Sequence, residues 1–203
     1  ILVLACGFAT SIGVLGIVSF LLLMWRLPAG LFGAPVQLRT WIDLARNRLV
    51  VLLLLITTLY MAGQFVIFTF LGPLLAKLTG AGADAIGLVF AIYGVFGFIG
   101  VGIATRIVDG WGAYRTSLLF VSLCLAGVTG WALSAGNYIF MACSIAVWGL
   151  GFAATNSMQQ VRLVAAAPQM ASASVSLNTS VLYIGQAIGS AVGGILYGGD
   201  FLY

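Results

Sequence analysis

Residues 116–161, TSLLFVSLCLAGVTGWALSAGNYIFMACSIAVWGLGFAATNSMQQV, carry no charged side chain across 46 positions. At about 1.5 Å per residue, one helix of that length would be more than twice the roughly 30 Å thickness of a bilayer's hydrocarbon core. The run therefore has to fold back on itself, and the polar, glycine-bearing residues Ser134, Ala135, Gly136 and Asn137 are the natural place for the turn. Two consecutive membrane-spanning helices are predicted.

The rest of the chain reads the same way. Uncharged stretches run from Ile1 to Trp25, Leu49 to Ala76, Ala85 to Thr105 and Leu163 to Gly199, each near or above the roughly 20 residues a crossing needs. Pro168 interrupts the last of these, which places its span at 171–197. Across all 203 residues, 63% are hydrophobic and 6% charged, with a mean hydropathy of +1.20; a soluble domain carries about 25% charged residues. The expected fold is an all-α membrane protein of six transmembrane helices. After the first, at 1–25, they lie at about 49–72, 85–105, 114–134, 137–160 and 171–197.

Arg26, Arg39, Arg46 and Arg48 fall between the first two spans, Arg106 and Arg115 between the third and fourth, and Arg162 between the fifth and sixth. Lys77 alone lies on the other side. Short loops rich in Lys and Arg stay cytoplasmic, so residue 1 is expected outside and the first span should run inward. Within 26–48, Pro28, Gly30, Gly33 and Pro35 precede an amphipathic piece in which Leu38, Trp41, Ile42, Leu44 and Ala45 alternate with Arg39, Asp43, Arg46 and Arg48. Such a piece should lie along the inner membrane face, or simply link two helices. With no leader ahead of its first apolar run, the chain is expected to be a fragment of a longer membrane protein, the alternative being a complete six-helix protein with a processed terminus.

Several enzyme classes are disfavoured. The chain has no Glu and no His, which removes common acids, bases and metal ligands. An intramembrane hydrolase would need a Ser with His or Lys, or paired Asp residues, inside the spans, and a voltage sensor would need an Arg at every third position of one span. Neither pattern occurs. Cys6, Cys124 and Cys143 lie in apolar runs without metal or disulfide spacing and read as small buried hydrophobes. No enzyme activity, cofactor, metal or nucleic-acid partner is expected.

Polar and aromatic groups deep in a span usually face a cavity or another helix. Thr57, Tyr60, Gln64 and Phe68 form one such stripe at intervals of three and four, and Trp148, Phe152, Asn156 and Gln159 form another. With Tyr93 they are the candidate substrate contacts; the competing reading for each is packing or interhelical hydrogen bonding. Gly185, Gly189 and Gly193 recur every fourth residue, and Gly87, Ala91 and Gly94 make a similar ridge, both suited to close helix approach. Asn178 and Gln186 share the half of the last span that carries the first ridge, where they could act as glue. Gly13, Gly16, Gly127 and Gly130 read as ordinary membrane glycines.

Four stretches, by their order and spacing, resemble the major facilitator superfamily, and within it the arabinose-efflux-like and drug:proton antiporter permeases. They are Phe68 to Leu74, Tyr93 to Gly100, the loop Thr105 to Arg115, and Leu177 to Ser180 followed by Gly185 to Ser190. The resemblance covers nearly the whole chain, whose spans look like the family's sixth to eleventh helices. It implies that 1–25 is the last helix of an N-terminal half-bundle, 26–48 the cytoplasmic loop between halves, and 49–203 a C-terminal half-bundle lacking its final helix. In the loop, Arg106, Asp109, Gly112 and Arg115 match the family's cytoplasmic signature, while Thr105 and Gly110 depart from it. The resemblance implies a latch between two helices, weakened here by the loss of one Arg; the plainer reading is a charged loop that sets topology.

The implied function is alternating-access efflux of drug-like or hydrophobic compounds, from a bacterial inner membrane. The implied partners are the lipid bilayer, a small-molecule substrate, and the N-terminal half of the same chain. Proton antiport rests on the resemblance alone, because Asp43, Asp84, Asp109 and Asp200 all lie in loops or at helix ends. An aromatic, weakly polar lining without buried charge favours neutral or hydrophobic cationic substrates; sugars, phosphates or organic anions would call for several amides or a buried Arg or Lys. A sugar permease is the runner-up, supported by Gln64, Asn156 and Gln159. A non-transporting six-helix scaffold or receptor is the alternative of another class.

Overall fold

Gly112, with φ 78° and ψ 156°, interrupts 51 residues of otherwise continuous helix from Ala83 to Leu133. That backbone conformation favours glycine over any L side chain. It divides a rod too long for one crossing into two arms, 83–111 and 113–133, each long enough to cross by itself. The computed structural model describes residues 2–26 and 38–199; Pro28, Gly30, Gly33, Pro35 and Asp200 lie outside them.

The elements are α1 (Leu2–Arg26), α2 (Leu38–Arg46), α3 (Arg48–Phe68), α4 (Leu71–Thr79), α5 (Ala83–Leu133, broken at Gly112), α6 (Tyr138–Ala166), a 3₁₀ turn (Pro168–Met170) and α7 (Ala171–Gly198). No strand occurs among the described residues. The chain divides into two units, residues 1–35 and 36–203. The first is α1, 25 residues with basic Arg26 in its last turn. The guanidinium of Arg26 sits 5.9 Å from the Trp25 ring centroid.

Within the second unit, local chemistry sets the helix ends. Asn47 caps α3, its side-chain oxygen accepting from Leu49 N at 3.1 Å and Val50 N at 3.3 Å. Helix α3 stops at Phe68, short of residue 72, because Pro73 cannot donate to the carbonyl four residues back. The helix restarts at Leu71, where Pro73 falls among the first turn's unbonded N–H positions. Asn137 caps α6 through Phe140 N at 3.2 Å, so the turn predicted at 134–137 is where the chain reverses.

Two helix pairs dominate: α5 with α6, and α3 with α7. Contacts give their directions. Thr57 meets Asn178 and Phe70 stacks on Tyr197, so α3 and α7 run parallel. The Tyr138 hydroxyl donates to Ala85 O at 2.9 Å, placing the starts of α5 and α6 together, while the second arm of α5 runs antiparallel to α6 through Gly127 beside Trp148 and Gly151 beside Cys124 and Phe120. That alternation is what successive membrane crossings require. The second unit's spans keep most of their apolar surface exposed, with α6 the most enclosed. The chain is an integral, multi-pass membrane protein whose partner on that surface is lipid.

The glycine ridges do not all behave as the spacing suggests. Gly185, Gly189 and Gly193 are buried against the backbone of Thr58, Ala62 and Val66 on α3. Gly87 and Gly94 are exposed, and a Cβ on either would meet nothing within 4 Å. The contacting ridge on that helix is instead Val89, Tyr93, Gly97, Gly100 and Ala104, toward α6. At about 100° per residue, Gly94 and Gly87 lie roughly 100° and 120° around the helix from Tyr93. Gly127 and Gly130, read as ordinary, are contact positions: a Cβ on Gly127 would strike the Trp148 backbone, and one on Gly130 would sit 2.8 Å from Ser144 Oγ.

Helix α2 is docked as well as amphipathic. Leu44 is fully buried with Val50, Leu53, Leu163 and Ala173, and Asn47 Nδ2 donates to Ala166 O at 3.4 Å. Its Trp41 and Ile42 stay exposed beside Arg39 and Arg46.

Candidate functional site

Thr57 stands where α3, α6 and α7 meet. Its hydroxyl has one proton and two acceptors nearby, Asn178 Oδ1 at 2.8 Å and Leu53 O at 3.2 Å. Gln159 Nε2 donates to Thr57 Oγ1 at 3.0 Å and to Leu53 O at 2.6 Å, while its Oε1 accepts from an Arg162 guanidinium nitrogen at 3.4 Å. Gln159 is thereby committed: it ties α6 to α3 and holds Arg162, rather than offering a free amide.

A second network lies about two helical turns along α3. Gln64 Oε1 accepts from the indole Nε1 of Trp148 and from Cys124 Sγ at 3.3 Å, and the Tyr60 hydroxyl donates to Cys124 Sγ at 3.2 Å. Trp148, expected at a cavity wall, has no exposed surface and instead fixes Gln64. Cys124 is a link in a chain of hydrogen bonds, a role nothing in its spacing announced. Around this network the aromatic residues of both stripes gather. Phe68 lies 4.9 Å from Tyr93 and 5.9 Å from Trp148, Tyr93 lies 5.9 Å from Phe152, and Tyr60 stacks on Phe152 at 6.1 Å. These are favourable aromatic separations. Phe65 joins them, 6.5 Å from Phe152.

The two networks are bridged by a cleft of about 90 Å³, whose walls include Thr57, Tyr60, Asn156 and Gln159. Ser117, Thr155 and Arg162 also line it, and the sequence reading missed them. Ser117 and Thr155 fall in no stripe or motif, and Arg162 reads as a loop charge. In the structure Arg162 is inside α6, four residues before its end at Ala166. Among the described residues, the buried side-chain polar atoms without a hydrogen-bond partner are Ser117 Oγ, Thr155 Oγ1, Asn156 Oδ1 and Asn178 Nδ2. The first three belong to residues of this cleft, and Asn178 touches it through Thr57. Leaving such a group unpaired costs about 1–3 kcal/mol, and these four lie in or beside one cleft. Among the described residues no carboxylate lines the cleft.

The latch candidates Arg106, Asp109, Gly112 and Arg115 are exposed around the α5 break, and no ion pair joins Asp109 to Arg106 or Arg115 among the described residues. Asp109 lies three residues ahead of Gly112, close to the start of the 113–133 arm.

The profile of the Major Facilitator Superfamily matches residues 2–190. The chain belongs to the major facilitator superfamily. Among curated proteins, it is 25% identical over 185 residues to the uncharacterized MFS-type transporter YbcL of Bacillus subtilis, covering 91% of this chain and 47% of that protein. It is 27% identical to the inner membrane transport protein YdhP of Escherichia coli K12, covering 89% and 46%. It is 30% identical over 141 residues to the purine ribonucleoside efflux pump NepI of Escherichia coli O6:H1, covering 66% and 33%. No solved structure matches. This superfamily chain spans about half the length of the YbcL and YdhP relatives, and its relatives are transporters rather than enzymes.

Proposed function

We propose that the chain supplies much of one wall of the central cavity in an alternating-access efflux transporter for small amphiphilic, drug-like compounds. Residues 1–25 then end one half-bundle and 49–203 form most of the other, with 26–48 as the loop between them. The observation that carries this reading is the convergence on Tyr60. Its ring belongs to the aromatic group of Phe68, Tyr93 and Phe152, and the same residue lines the polar cleft with Thr57 and Asn156. An aromatic ring beside a few fixed polar groups suits a ligand with a ring at one end and a polar group at the other. Names among the relatives, efflux pump and inner membrane transport protein, support a bacterial inner-membrane location and an outward direction.

A second reading, a substrate bearing a hydroxylated ring such as a sugar or nucleoside, is favoured by the unpaired Ser117, Thr155 and Asn156 atoms and by the similarity to the purine ribonucleoside pump. Proton antiport stays part of the proposal through family likeness. The described acids, Asp43, Asp84 and Asp109, are all exposed outside the cleft, so a coupling carboxylate would come from helices beyond these.

The test is flux in proteoliposomes containing the protein expressed from its own gene. Efflux of a lipophilic dye or of inosine should exceed that of empty vesicles and fall with Tyr60→Ala or Asn156→Ala. Saturable binding of both compounds with no flux would favour the receptor or scaffold reading.

A further inference from the structure

An organic anion calls for several amides, or an Arg within the lining. The structure supplies the Arg. Arg162 lines the cleft, and among the described residues its one hydrogen bond to protein is a 3.4 Å contact with the neutral Gln159 oxygen and no carboxylate shares the space. A guanidinium carries five N–H donors in a planar fork, so most of its capacity is unused. Ser117, 6% exposed, adds a hydroxyl with no partner, and Thr155, 8% exposed, adds a second beside the Tyr60 hydroxyl. Gln159, bonded by both ends, also accepts from the guanidinium. A cation with hydroxyl donors in an enclosed, largely apolar cleft is complementary to an oxyanion. A neutral hydroxyl would leave the charge unanswered, and a cationic drug would be repelled.

Resting on the cavity reading above, we propose that the polar end of the substrate is a carboxylate or phosphate, bound by Arg162 with Ser117 and Thr155, while its ring lies toward Tyr60 and the neighbouring aromatics. Arg162 then determines specificity as well as topology. The preferred substrate class becomes aromatic or amphiphilic anions, not hydrophobic cations.

The experiment compares two ligands of one shape, 2-naphthoate and neutral 2-naphthamide, by calorimetric titration of the detergent-purified protein expressed from its own gene. Naphthoate should bind at least about tenfold more tightly, the scale of one charge-assisted hydrogen bond. Arg162→Gln should erase that advantage, bringing naphthoate down to the affinity of naphthamide, whereas Arg162→Lys should keep part of it. Ser117→Ala, which leaves the charge in place, should reduce the advantage and serves if the Arg162 variants fail to fold.

Equal binding of the two ligands, or a preference that survives Arg162→Gln, overturns the anion subsite while leaving the cavity intact. Binding of neither overturns the cavity reading as well. Repeating the titration in phosphatidylcholine and in phosphatidylglycerol nanodiscs separates two sources of the same chemistry. Loss of the preference only with the anionic lipid would show a headgroup in the subsite, and retention in both would assign it to a soluble substrate.

Discussion

Alanine substitutions at glycines that look alike in sequence should have opposite effects. A Cβ at Gly185 would fall 2.5 Å from the Thr58 carbonyl oxygen and 2.9 Å from Met61 Cβ; at Gly189 it would strike the Ala62 backbone, with the carbonyl carbon at 3.0 Å. Backbone atoms cannot swing aside, and carbon contacts settle at about 3.5–4.0 Å, so α3 and α7 must separate by about 1 Å at that level. Packing is what holds membrane helices together, and a gap of that size forfeits a quarter to a half of each contact's attraction. The expected loss is about 1–3 kcal/mol for Gly185→Ala or Gly189→Ala. Gly94→Ala meets nothing within 4 Å and should be neutral, or stabilising by up to about 1 kcal/mol through helix propensity. Reversible unfolding by SDS in mixed micelles, followed by far-UV ellipticity, measures all three. If Gly185→Ala and Gly189→Ala stay within about 0.5 kcal/mol of the parent, or Gly94→Ala destabilises as they do, close backbone contact is not what holds α3 to α7.

The interhelical bond between Thr57 and Asn178 should show a coupling of about 0.6–1.7 kcal/mol in a double-mutant cycle of Thr57→Val and Asn178→Leu in the same unfolding assay; zero coupling would remove it as a tie between α3 and α7. Gln64→Leu strands the indole N–H of Trp148 and the Cys124 thiol, so stability should fall by about 1–3 kcal/mol, with a changed Trp148 fluorescence maximum as an independent sign of the lost bond. Asp109→Asn should shift the balance between inward-open and outward-open labelling at introduced cavity cysteines if the loop at the Gly112 break latches one state. An unchanged balance leaves Asp109 a topological role.

Much of the fold was legible because the bilayer admits few solutions. A 46-residue uncharged run can only double back, and Asn137 marks the place with a side chain able to cap the returning helix. Which face of each helix does what was harder to read. Gly87 and Gly94 fit the small-residue spacing, yet contact in the 83–111 arm runs through Tyr93, Gly97 and Gly100; spacing fixes a face but cannot say which face meets a neighbour. The same gap separates Trp148 from Asn156. They share one stripe, yet the first is sealed behind Phe68 and Tyr93 and the second opens on the cleft. Arg162 reads as a loop charge because charges near a span's end explain topology so well that a place on the cleft wall leaves no trace in spacing. Cys124 was invisible for a similar reason, since only the arrival of Tyr60 and Gln64 from another helix makes its thiol a hydrogen-bonding group.

If the cleft walled by Thr57, Tyr60, Asn156 and Arg162 is the proposed substrate cavity, it opens to water in turn on each side. The most direct measurement is the reaction of Asn156→Cys with a membrane-impermeant methanethiosulfonate reagent, applied separately to right-side-out and inside-out vesicles and corrected for the unsubstituted protein. Labelling that depends on the side exposed and that slows when 2-naphthoate is present is expected of such a cavity. Absence of labelling from either side, or labelling at the same rate with and without 2-naphthoate, would contradict it.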